Sequence, residues 1–299
     1  MKPPGAILLY LAAVFLGGAL LAPWVYWLSH AVAHAGVLRG LEDVPFHRFV
    51  SRCFIVVALG GLLPLLRALG LRSFSEAGLP RPDGHWRTLR SGFALGFVSL
   101  AISAVVAVLA GARGLNNTQG WDIVLHLGTA ALSAVVVAVM EELVFRGAIF
   151  GGLRKTQSLL VAVLASSGLY ALVHFFAKVD SPAVVEWTSG LALLPRMMRG
   201  FAAADQLVPG FLNLTLAGCA LALARQRTGN LYFSIGLHAG WVFWLKSYNF
   251  FTTPTAGAAE VHWLFGTNKL IDGWLSLFVL ATVLFFVSRF PEDVKPLPS

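Results

Sequence analysis

Eight apolar runs of roughly 20 residues, at about 6–28, 50–70, 91–111, 123–147, 157–176, 208–225, 231–249 and 270–289, constrain this chain more than anything else in it. Coiled as an α-helix, a run of that length crosses the ~30 Å hydrocarbon layer of a bilayer. The prediction is an all-α fold: a polytopic transmembrane helical bundle of about eight spans. Composition agrees, since only 12% of the 299 residues are charged and 57% are hydrophobic, whereas a soluble domain carries about 25% charged residues. Nine Trp and 22 Phe suit helices that meet lipid and its interface. The first run continues through Trp24, Tyr26 and Trp27 without an A-x-A cleavage pattern, so it reads as a retained span rather than a signal peptide. Cys53 and Cys219 both sit in apolar stretches, which argues against a disulfide framework.

A net charge of +8 could suggest nucleic acid, but its distribution favours a membrane surface. The basic residues Arg67, Arg72, Arg81, Arg87 and Arg90 cluster in one connection, and Arg154–Lys155 and Arg225–Arg227 mark two more. Eight spans put all three clusters, Lys2 and the C-terminal tail on one side. The positive-inside rule makes that side cytoplasmic, with both termini there. Turn signals fall at Pro80–Gly84, Gly151–Gly152 and Gly229–Asn230. The long connection 177–206, with Trp187, Arg196, Met197 and Met198, predicts an interfacial amphipathic helix or a re-entrant segment able to gate a site. There is no internal repeat, low-complexity tract, phosphate loop, zinc-spaced cysteine set or nucleic-acid module.

Two adjacent carboxylates, Glu141 and Glu142, lie in the apolar run LSAVVVAVMEELVFRGAIFGG. A charge at mid-bilayer costs on the order of 2.5–3.5 kcal/mol on insertion scales, so function is the default explanation. Glu142 and Arg146 are i,i+4 with the acid N-terminal, the favourable orientation for an ion pair. Glu141 is rotated about 100° away. That divides the labour: Glu142 is held by Arg146, and Glu141 is left to face a cavity as a general base. The plainer alternative is a structural Glu–Arg lock at a helix end.

His174, in SGLYALVHFF, has Tyr170 one turn earlier, placed to hydrogen-bond the imidazole or pack under it. His238, in LYFSIGLHAGWVFW, has Ser234 one turn earlier and Val242 one turn later. Its neighbours Gly236, Ala239 and Gly240 either let another helix approach closely or leave room for substrate. Each histidine alone is more simply a packing residue. Three separate spans each carrying one ionisable cluster is a stronger pattern, because intramembrane ionisables face the bundle interior and find one another. A carboxylate and two imidazoles can hold and deprotonate water, either directly or through a divalent metal; Glu141, His174 and His238 would then be zinc ligands. His30 and His34 lack the glutamate of a His-Glu-x-x-His helix and read as an interfacial pair. His47, His85 and His262 read as loop residues, and His126 is about four turns from Glu141.

The segments MEELVFRG, YALVH and SIGLHAGWVFW resemble, in order and spacing, the three signatures of the CPBP intramembrane proteases. These are relatives of the type II CAAX prenyl endopeptidase, the Ras-converting enzyme, also called the Abi family. The resemblance covers about 120–250. It implies a division into N-terminal accessory helices (1–115), a catalytic four-span core (116–255) and a C-terminal helix and tail (256–299). It also implies that Glu141 activates water, His174 helps position it, His238 stands on the oxyanion side, and Glu142 and Arg146 support them. Two positions depart from the family pattern. Tyr170 stands where the family has Phe, which adds a hydroxyl. Val242 stands where the family has Asn or Asp, and losing an oxyanion donor costs roughly 10²–10³ in rate. Asn213 and Ser234 are candidates to replace it.

The expected activity is hydrolysis of a peptide bond in a membrane-associated protein or peptide by glutamate-activated water. The expected setting is the lipid bilayer of a prokaryotic inner membrane, with no nucleic-acid partner. Two rivals come from other classes: an inactive scaffold or immunity-type protein of the same fold, which Val242 favours, and a proton-coupled transporter, for which no repeat is found.

Overall fold

The computed structural model describes residues 2–176, 179–198 and 204–291, with no account of the side chains of 204–206. Every one of the eight apolar runs is helical. In chain order the helices of more than eight residues are α1 (Pro3–His34), α2 (Phe46–Ala68), α3 (Trp86–Leu109), α4 (Trp121–Arg154), α5 (Leu159–His174), α6 (Ser189–Met197), α7 (Ala204–Thr228), α8 (Tyr232–Phe251) and α9 (Trp274–Ser288). Two short strands, β1 (Arg113–Leu115) and β2 (Thr252–Pro254), pair antiparallel with Arg113 opposite Pro254.

The expected count of eight spans is not confirmed. Among the described residues five helices are long and apolar enough to cross a bilayer: α1, α2, α3, α4 and the Leu207–Thr228 part of α7. Helices α5 and α9 are apolar but only 16 and 15 residues long, short of the ~20 that a straight crossing needs. Helix α8 has 20 residues but carries Ser234, His238, Lys246 and Asn249, and is not among the five. The helix expected within 177–206 is α6, whose Gly190 lies so close to α1 that a Cβ would sit 1.9 Å from the Ala19 carbonyl oxygen. The rest of that expected gate, at 177–178 and 199–203, lies outside the described residues.

The chain forms two compact units. One comprises residues 1–70 and 175–203, and the other 71–174 and 204–299. In the first, Ala22 of α1, Phe46, Phe49, Val50 and Cys53 of α2, and Leu193 and Met197 of α6 share one core. In the second, α8 packs on α3 and α4, and α5 packs on α7. Outward faces carry large apolar side chains, such as Leu132, Val135 and Leu160. That is the surface expected of helices in lipid, which is as apolar as the side chains that meet it.

Two devices of small residues position α8. On α4 the buried face is the i,i+4 stripe Ala130, Ala134, Ala138 and Glu142, which lies on one side of a helix with 3.6 residues per turn. Ala134 and Ala138 pack against Leu231, just before α8, and against Ile235, Ala239 and Val242 within it. On its other side α8 meets α3 backbone to backbone. A Cβ at Gly92 or Gly96 would come within 2.2 Å of the Phe233 or Leu237 carbonyl oxygen, and one at Gly236 within 2.1 Å of the Leu89 oxygen. These Gly-x-x-x-Gly pairs on both helices permit the close approach. The small residues around His238 therefore serve helix packing, and the room for a ligand lies elsewhere.

Candidate active site

Because the alanine stripe ends on Glu142, the α4–α8 contact delivers that carboxylate to His238. The His238 Nδ1–Glu142 Oε1 distance is 2.9 Å. Arg146 Nη1 stands 3.1 Å from the same oxygen. All three side chains are buried, with Glu142 wholly so. Arg146 lies in a π-helical segment, Leu143–Phe150, where the helix widens just after the glutamates. Its guanidinium donates to the Gly218 carbonyl of α7 at 3.4 Å and lies 4.3 Å from the centroid of the Tyr170 ring. An ionised carboxylate only accepts hydrogen bonds, so Nδ1 of His238 carries the proton and Nε2 is turned to the other side.

Glu141 occupies that other side. Its Oε2 is 3.6 Å from His174 Nε2 and 3.7 Å from His238 Nε2, and it has no hydrogen-bond partner. His174, the last residue of α5, donates from Nδ1 to the Tyr170 carbonyl oxygen at 2.7 Å, so its Nε2 also faces Glu141. The expected contact between Tyr170 and His174 thus runs through the Tyr170 backbone and a ring contact of 4.4 Å. The Tyr170 hydroxyl instead lies 3.4 Å from His238 Nε2. Glu141, Tyr170, His174, His238 and Val242 all line one cavity of about 340 Å³, with Asn213, Trp241 and Lys246. The side chain of Glu141 is 26% exposed, against 0% for Glu142. One acid is open to a cavity and the other is locked, as the i,i+4 spacing suggested.

The two residues expected to replace the donor missing at Val242 do not offer one. Asn213 gives both amide hydrogens to the Ile271 and Gly273 carbonyls, at 2.7 and 2.9 Å, and its Oδ1 is buried without a partner. What it can offer is an acceptor. Ser234 donates to the Leu231 carbonyl at 3.1 Å and does not line the cavity. Sequence reading missed Lys246, which lies on α8 one turn beyond Val242 and also lines the cavity. Among the described residues no group of three His, Cys, Asp or Glu side chains is placed to hold a metal ion. The remaining histidines find other partners: His30 contacts Tyr26, His34 pairs with Glu42 at 3.5 Å, and His126 stacks on Phe250.

Residues 123–244 match the Rce1-like family, the type II CAAX prenyl endopeptidases. That match runs from early α4 into α8 and contains the whole cluster from Glu141 to Val242. Over those residues, fewer than half of the chain, the protein is similar to the CAAX prenyl endopeptidases. No curated protein and no solved structure matches the chain.

Proposed function

We propose that the chain is an intramembrane endopeptidase that hydrolyses a peptide bond of a membrane-associated protein or peptide with water activated by Glu141. One observation carries the reading: the single open carboxylate of the cluster stands within 3.7 Å of two imidazoles on a shared cavity, while its neighbour is buried in an ion pair. Glu141 takes a proton from water as the water oxygen bonds to the scissile carbonyl carbon, and the carbonyl electron pair moves onto its oxygen. The carbonyl then re-forms as the C–N bond breaks, and Glu141 returns the proton to the leaving nitrogen. His174, oriented by the Tyr170 carbonyl, positions the water. His238, held by Glu142, faces the developing oxyanion, and the Glu142–Arg146 pair balances charge around it.

The test compares peptides released from whole membranes by wild type and by Glu141→Gln protein. Loss of a general base costs roughly 10²–10⁴ in rate, so Glu141-dependent products should disappear from the variant. Identical profiles from equally folded proteins would favour a scaffold of the same fold. Acid-driven uptake in proteoliposomes would favour a transporter.

A further inference from the structure

We infer that the hydroxyl of Tyr170 is the oxyanion donor that this chain uses in place of the amide absent at Val242. The inference rests on the peptidase reading above. Position 242 does face the cavity, and valine there donates nothing. Among the described cavity-lining residues the other polar hydrogens are spent or remote. Asn213 gives both of its own to backbone carbonyls. Trp241 gives its Nε1–H to Ser99 Oγ at 2.9 Å. Lys246 is exposed and lies eight residues beyond His238, about 12 Å along the helix axis.

Tyr170 is different on each count. It is 4% exposed, lines the cavity, and has its hydroxyl 3.4 Å from the very histidine that faces the oxyanion. That separation is long for a hydrogen bond to nitrogen, so the hydroxyl can turn to a stronger acceptor. An oxyanion forming between Tyr170 and His238 is such an acceptor, because charged hydrogen bonds are shorter and roughly twice as strong as neutral ones. The Arg146 guanidinium, 4.3 Å from the ring centroid, adds positive charge beside the phenol. No proton leaves Tyr170: its O–H bond is kept, and it only donates a hydrogen bond to the tetrahedral intermediate. The hydroxyl of Tyr170 and the side chain of Val242 line the same cavity.

The test uses full-length protein in phospholipid nanodiscs and an internally quenched farnesylated peptide ending in a CAAX sequence. Tyr170→Phe keeps the ring and removes only the hydroxyl. Its kcat should fall roughly 10²-fold with KM little changed, the signature of a donor used only in the transition state. Val242→Asn added to Tyr170→Phe should recover most of that loss. Matched thermal unfolding of all variants separates chemistry from folding. Unchanged kcat in Tyr170→Phe, or a loss that Val242→Asn does not restore, would overturn the role of Tyr170 while Glu141-dependent cleavage keeps the peptidase reading. If wild type and Glu141→Gln treat the peptide alike, the peptidase reading fails for this substrate and the role of Tyr170 fails with it.

Discussion

Glu142 and Arg146 are charges with almost no contact with solvent, 0% and 1% exposed. Breaking a buried ion pair from one side leaves an uncompensated charge and costs about 3–5 kcal/mol. Arg146→Met should therefore lower the thermal midpoint sharply in detergent, and adding Glu142→Gln should restore part of it. If the single variant unfolds at the wild-type temperature, the pair is not holding the cluster. At this scale the sequence was informative about pairing along one helix. The four-residue spacing of Glu142 and Arg146 marked them as partners, and the 100° offset of Glu141 marked it as free. It could not show that His238 joins the same pair, nor that the Asn213 hydrogens are already given to Ile271 and Gly273. Those contacts cross from one helix to another, or to a loop 58–60 residues away, and no local spacing encodes them.

Helix α8 reaches the site through glycines and alanines, so its register depends on atoms that are missing. At Gly96, which meets the Leu237 carbonyl at 2.2 Å from a hypothetical Cβ, any side chain must push two backbones apart. Overpacking of this kind costs about 1–3 kcal/mol or more. Gly96→Val should lower the thermal midpoint and cut activity by shifting His238. Gly128→Val on α4 is the control, because a Cβ there meets nothing within 4 Å, and it should leave both measurements near wild type. Equal effects from the two would mean that the α3–α8 seam does not set the position of His238. The alanine stripe from Ala130 to Glu142 was present in the sequence but silent, since small apolar residues look the same toward lipid as toward a partner. The π-helical turn around Arg146 was likewise invisible. It arises where the widened helix accommodates contacts from α7 and α5, and such turns recur at functional sites.

Across the whole chain, charge and hydropathy define how the protein meets its membrane. We infer a cytoplasmic side that holds the Arg67–Arg90 cluster. A cysteine replacing exposed Arg81 should then resist a membrane-impermeant maleimide in intact cells, and one replacing exposed Gly257 should react. The reverse pattern would invert the topology. Eight helical segments and the apolar class of the fold follow from the sequence alone, because backbone satisfaction in lipid forces each long apolar run into a helix. Whether a run is long enough to cross was less accessible: α5 and α9 end early, α5 at His174, which turns into the site. The glycines of α3 lock it to α8 within the second compact unit. By itself the sequence determined the helices, the ionisable residues placed on them and the pairing within a single turn, all of which depend on neighbours a few residues apart. Only the tertiary structure decided which faces meet, because that choice rests on the depth at which small residues allow two backbones to touch.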